Sequence, residues 1–146
     1  MVRILVISGP NLNILAQRDP KIYGGVSMAE IEKVVLERAR DLGVEATFFQ
    51  SNHEGAIVDY LQGQTADASG IIINPGALTH YGTSLREALV DTGLPVVEVH
   101  ISNIHGREEW RAHSVVAPIA VGQVVGLGWR GYIYALEFLE AHIQGG

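Results

Sequence analysis

Ile4-Leu5-Val6-Ile7, set between Arg3 and Ser8-Gly9-Pro10-Asn11, is the stretch from which the fold is read. A short unbroken apolar run closed by Gly-Pro is the mark of a strand buried on both faces. Such a strand needs helices above and below it, and therefore belongs to a parallel sheet. Gly70-Ile71-Ile72-Ile73 repeats the pattern and stops at Asn74-Pro75-Gly76. Val96–Val99 is a third run of this kind. Val44–Phe49 alternates partly in polarity, which suits a sheet edge. Ile119–Val125, interrupted by Gly122, is the weakest strand.

Helical patterns fall between these runs. Ser27–Leu42 keeps Ile31, Val34, Val35, Ala39 and Leu42 on one face, with a Ser27/Glu30 capping box at its start and Gly43 as its stop. Gly55–Gln62 is shorter, and Ser51 with Glu54 offers it a second capping box. Ser84–Thr92 turns Leu85, Ala88 and Leu89 inward and ends at Gly93 and Pro95. Arg107–Ala112 supplies one or two helical turns, and Trp129–Ile143 the last helix. Strands spaced this way by right-handed crossovers predict a flavodoxin-like α/β three-layer sandwich, with a five-stranded parallel sheet in the order 2-1-3-4-5. The whole chain, 1–146, is expected to form a single domain. The polar stretch around 16–25, which holds Arg18, Asp19, Lys21 and Tyr23, is read as a lid loop.

Composition narrows the function. With 47% hydrophobic and 18% charged residues the chain is not of the disordered class. Cysteine is absent, which removes disulfides, thiolate metal sites and Cys nucleophiles, and fits a cytoplasmic protein. A net charge of −6 argues against nucleic acid as a partner. Eight of the ten basic residues are Arg, the side chain suited to bidentate recognition of carboxylates. The apolar run at the N-terminus is too short for a signal peptide, and no stretch has the ~18 apolar residues of a membrane span.

In an open parallel sheet, ligands bind beyond the carboxyl ends of the strands where strand order reverses. Asn11 follows the first strand; Asn74, Thr79 and His80 follow the third; Glu98, His100, Ser102 and Asn103 lie along and beyond the fourth, with Arg111 downstream. Each could be a turn former; gathered at one end of a sheet, they indicate a polar crevice. Glu98 and His100 are two apart on a strand and so face the same way. A carboxylate there fixes the imidazole's tautomer for general-acid work, and a purely structural ion pair is the competing reading. No compact ligand signature joins His80, His100 and His105, so no metal site is expected. In the lid, Tyr23 lies five residues after Arg18. A phenol ionises near pH 10, and bringing that to neutrality takes about 4 kcal/mol. One nearby cation supplies about 1–3 pH units, so Arg18 with a second Arg would suffice. Gly126–Gly131 matches G-x-G-x-x-G, but a following strand and an acidic residue about 20 positions on do not fit before Gly146, so dinucleotide binding is not expected.

Together, several blocks resemble the type II 3-dehydroquinate dehydratases. They are Gly9-Pro10-Asn11-Leu12-Asn13, Arg18-Asp19-Pro20 with Tyr23-Gly24, Gln50-Ser51-Asn52-His53-Glu54-Gly55, Asn74-Pro75-Gly76-Ala77 with Thr79-His80, Glu98–Asn103, Arg107-Glu108 with Arg111–Ser114, and Gly126-Leu127-Gly128 with Gly131-Tyr132. The resemblance implies cofactor-free dehydration of 3-dehydroquinate to 3-dehydroshikimate, in aromatic biosynthesis or quinate breakdown. It implies Tyr23 as base, Arg18 as stabiliser of its phenolate, Asn11 as enolate stabiliser, His100 as acid and Glu98 as its orienting group. It also implies substrate contacts from Asn74, His80, Ser102, Arg111 and the backbone at Ile101. The family is a dodecamer built from trimers, in which an acidic residue of a neighbouring subunit reaches the lid. That residue is usually Asp and here is Glu87, which also forms a capping-box pattern with Ser84. Gly82 stands where the family usually has Ser, and Ala16 where it has Gly. A non-catalytic anion-binding module and a flavin carrier of the same fold remain as alternatives.

Overall fold

The computed structural model describes residues 1–145. Its parallel sheet runs β2-β1-β3-β4-β5, the order predicted. The strands are β1 (Arg3–Ser8), β2 (Glu45–Gln50), β3 (Gly70–Asn74), β4 (Val96–His100) and β5 (Gly122–Val125). The helices are α1 (Pro20–Tyr23), α2 (Met28–Leu42), α3 (Glu54–Gln64), α4 (Thr83–Asp91) and α5 (Arg130–Ile143). The helical turn predicted within Arg107–Ala112 is the 3₁₀ piece Glu109–Ala112, and a further 3₁₀ piece, Ile104–Gly106, precedes that stretch. The fifth strand is shorter than expected. Ala117–Ile119 folds as a 3₁₀ turn around Pro118, whose missing N–H suits a helical start, and Gly122 opens the strand rather than interrupting it.

The apolar runs alternate between two cores. Ile4, Val6, Ile72, Val97 and Val99 pack against α2 and α5 through Ile31, Val35, Ala39, Ala135, Leu136 and Leu139. Leu5, Ile7, Ile71, Ile73 and Val96 pack against α3 and α4 through Ile57, Leu61, Leu85 and Leu89. The interiors of β1 and β3 are apolar because both faces are covered, whereas β4 carries Glu98 and His100 among its valines. The half-buried β2 is an edge strand, as its alternation indicated.

The Ser27/Glu30 capping box forms: the Glu30 N–H donates to Ser27 Oγ at 3.1 Å, and the Ser27 N–H to the Glu30 carboxylate. The other two do not. Ser51 Oγ instead accepts from the His53 N–H at 3.0 Å, making a tight turn before α3. Helix α4 starts at Thr83, which puts Ser84 inside its first turn and leaves Glu87 on an exposed face. At its N-cap, Gly82 has no room for a side chain, since a Cβ there would lie 2.7 Å from the Leu78 carbonyl oxygen. Glu54 of α3 does the capping instead, accepting the Leu85 N–H at 3.0 Å.

The loops after β1 and β3 are pressed together, which closes the floor of the site. The Gly9 N–H donates to the Asn74 carbonyl at 2.8 Å, and a Cβ at Gly9 would meet the Pro75 carbonyl oxygen at 2.3 Å. Backbone on both sides leaves little to yield. Gly9→Ala is expected to lower the unfolding free energy by about 1–3 kcal/mol, read by urea denaturation.

Candidate active site

The loops at the carboxyl ends of β1, β3 and β4 enclose a cleft of about 520 Å³, part of it open to solvent. Asn11, Arg18, Tyr23, Asn74, His80, His100, Ile101, Ser102 and Arg111 line it. The cleft therefore gathers most of the residues singled out from the sequence at the strand-order reversal. Glu98 lies directly behind His100. Glu87 is not among the lining residues and faces outward from α4.

Asn11 is the one described non-glycine residue with a left-handed backbone, at φ 69°. Its N–H donates to Asn52 Oδ1 at 2.9 Å, and Gln50 Nε2 donates to both that oxygen and the Gly9 carbonyl. The Gln50–Asn52 block thus acts as a brace for the first loop.

The lid folds inward. Residues Leu12–Gln17 form a kinked 3₁₀ segment, and Asp19 caps α1 by accepting the Lys21 N–H at 3.0 Å. That short helix delivers Tyr23 to the cleft with only 9% of its surface exposed. Its hydroxyl oxygen accepts from Arg18 Nη2 at 2.8 Å and from Arg107 Nη1 at 3.0 Å. The Arg18 guanidinium also lies over the ring, 4.1 Å from its centroid. Two cationic donors thus converge on one phenolic oxygen. Arg107 also donates to Ser102 Oγ at 3.1 Å, which ties the lid to the loop after β4.

Arg107 was missed as a site residue by sequence reasoning, although a second Arg was called for. It lies 84 residues from Tyr23 in the chain, and only folding pairs them. Its one signal was the choice of Arg over Lys in a poorly basic chain.

Glu98 has no solvent exposure. It accepts from His100 Nε2 at 2.5 Å, from Gln123 Nε2 at 2.8 Å, from Ser114 Oγ at 3.0 Å and from the Thr79 hydroxyl. Burial pushes this carboxyl up, but the hydrogen bond and charge of His100, with the bonds from Thr79 and Gln123, outweigh it and hold Glu98 below the usual carboxylate range. An ionised Glu98 accepts only, so His100 carries a proton on Nε2 and keeps Nδ1 for the cleft. His80 is pinned through Nδ1 to the His113 carbonyl at 2.7 Å and meets Trp110 edge-on. Arg111 stacks on Trp110 and donates through Nε to Glu108 at 2.5 Å, a bond that leaves its terminal amino groups for a ligand.

A family model described as dehydroquinase class II matches residues 2–140. This chain belongs to the class II dehydroquinases. It is 56% identical over 138 residues to a 3-dehydroquinate dehydratase of Roseiflexus castenholzii, covering 94% of this chain and 88% of the relative. It is 54% identical over 146 residues to a 3-dehydroquinate dehydratase of Halothermothrix orenii, covering 100% of this chain and 99% of that one. The crystal structure of a type II dehydroquinase from Butyrivibrio crossotus superposes with a TM-score of 0.92 at 44% identity, covering 94% of this chain and 97% of that one. The dehydroquinase fold is therefore the flavodoxin-like sandwich described above.

A carboxyl held below its ordinary value near 4.5 favours the native state once it is ionised. That contribution is complete above about pH 4.5 and is lost as pH falls through the lower folded value. Wild-type protein is thus expected to lose its stability advantage over Glu98→Gln on acidification below that point, in urea unfolding followed from about pH 7 to about pH 3. A difference that stays constant with pH would show that the carboxylate's charge contributes nothing.

Proposed function

We propose that this chain is a cofactor-free hydro-lyase that removes water from 3-dehydroquinate to give 3-dehydroshikimate, serving aromatic amino-acid biosynthesis. The observation that carries the proposal is the pairing of Tyr23, between Arg18 and Arg107, with His100, backed by Glu98, on one cleft.

The reaction needs a base, an enolate stabiliser and an acid. The Tyr23 phenolate takes the proton from the carbon next to the ketone. The C–H electrons move into an enolate, whose oxygen is stabilised from the Asn11 side, through a water. When the enolate collapses, the C–O bond of the β-hydroxyl breaks, and His100 supplies the proton that lets it leave as water. The new C=C is conjugated with the restored ketone. Glu98 keeps the imidazolium oriented through that step. Arg111, with the backbone N–H groups of Ile101 and Ser102, holds the ring carboxylate. Asn74, His80 and the Ser102 hydroxyl hold substrate hydroxyls.

The whole chain acts as a single catalytic domain with its lid at 16–25. The active form is a dodecamer of trimers in the cytoplasm, with Glu87 of a neighbouring subunit reaching the lid. Two features support the contact between subunits: Glu87 is exposed, and it stands away from its own cleft.

Mixed with 3-dehydroquinate, the protein is expected to produce the ultraviolet absorbance of a conjugated enone. Tyr23→Phe is expected to lower kcat by about 10³-fold or more, while a substrate analogue still binds within a few-fold of wild type. His100→Ala is expected to lower the kcat of the folded fraction by at least about 10²-fold, and also to lower the unfolding midpoint because buried Glu98 loses a donor. Binding without enone formation by the wild-type chain would favour the non-catalytic anion-binding reading.

A further inference from the structure

Tyr132 has no place in the chemistry above, yet it is the largest fully buried side chain that ends in a polar group. It rises from α5 toward the carboxyl end of the sheet. There it meets Ser8 and Asn74, which are register partners at the last positions of β1 and β3. Residues paired in register on parallel strands point to the same side. Ser8 Oγ lies 3.2 Å from the Tyr132 hydroxyl, and Asn74 Nδ2 donates to that hydroxyl at 3.1 Å. Burial pushes the Tyr132 phenol up, so it stays protonated, and in its contact with Ser8 either hydroxyl can donate.

The other end of the Asn74 amide is held as well. Its Oδ1 accepts the Gly76 N–H at 3.2 Å. A backbone N–H can only donate, so the Gly76 bond fixes which end of the amide is the oxygen. With the oxygen on Gly76 and one N–H on Tyr132, the second Nδ2–H is left for the cleft, which Asn74 lines. From this we infer that Tyr132 is a positioning residue for substrate binding: with Gly76 setting the polarity of the Asn74 amide, the Tyr132 hydroxyl holds one Nδ2–H so that the other is aimed at the cleft as a donor. The cleft at this point therefore selects an oxygen that accepts, such as a hydroxyl oxygen or a carboxylate of a polyhydroxy acid. This rests on the dehydratase reading of the cleft.

Tyr132→Phe keeps the packed ring and removes only the acceptor. A contact made equally in the ground and transition states acts on KM rather than kcat. With full-length protein and 3-dehydroquinate, KM is expected to rise about five-fold, the scale of one neutral hydrogen bond, while kcat stays within about two-fold of wild type. The same substitution in an Asn74→Ala background is expected to change KM no further, because the group it positions is gone. A core effect alone would lower the unfolding midpoint and leave KM untouched. Asn74→Asp is a second test that does not need the Tyr132 variant to fold. It keeps the shape but removes the donor, and its KM must rise at least as far as that of Asn74→Ala. Three results would overturn the inference: an unchanged KM in Tyr132→Phe, an undiminished KM factor in the Asn74→Ala background, or a wild-type KM in Asn74→Asp. Wild-type protein that fails to form the enone would overturn the dehydratase reading and this inference with it. Enone formation with an unchanged KM in Tyr132→Phe would overturn this inference alone.

Discussion

A carboxylate shut away from water must find in the protein the donors that water would have given it, or give up its charge. Glu98 sits in the middle of a strand whose other residues are three valines and His100, and it has no solvent exposure. Its four side-chain donors come from four different places: His100 from the same strand, Gln123 from β5, Thr79 from the turn after β3, and Ser114 from the segment before β5. Ser114 in turn accepts the Val116 and Ala117 N–H groups, which fixes the turn into β5. One ionised group thus sets where three connections end. The same group decides which imidazole nitrogen faces the cleft.

The opposite wall depends on the reverse charge. The chain carries a net −6, yet Arg18, Arg107 and Arg111 converge on a single cavity. A local positive field on a negative molecule draws small anions to that point while the rest of the surface repels them. Two of these guanidinium groups meet on the Tyr23 oxygen, so the charges that would attract an anion also hold that hydroxyl in the cleft.

The sheet was legible because continuous apolar runs have few other homes at this length. The Ser27 start of α2 was legible because both members of its capping box lie in one local segment. The Ser51/Glu54 and Ser84/Glu87 patterns misled for different reasons: Glu54 is drawn to a different helix, and Ser84 lies inside α4, which starts one residue earlier. The cleft residues next to strand ends could be read from topology. Arg107, Gln123 and Tyr132 could not, because each reaches the site from a distance set by tertiary structure. Gln123 becomes readable only when its register with Glu98 is known. Tyr132 fills a position on α5 that any large apolar residue would satisfy by periodicity, and only its hydroxyl sets it apart.

Asn11 occupies a backbone geometry that disfavours every ordinary side chain except asparagine and aspartate. Its identity therefore answers to two demands, the local twist of the chain and the amide offered to the cleft. An alanine at that position damages both at once, so lost turnover alone does not measure what the amide contributes. A glycine relieves the twist and removes the amide, while an aspartate tolerates the twist and trades the amide for a charge. Comparing those two replacements separates the conformational demand from the chemical one.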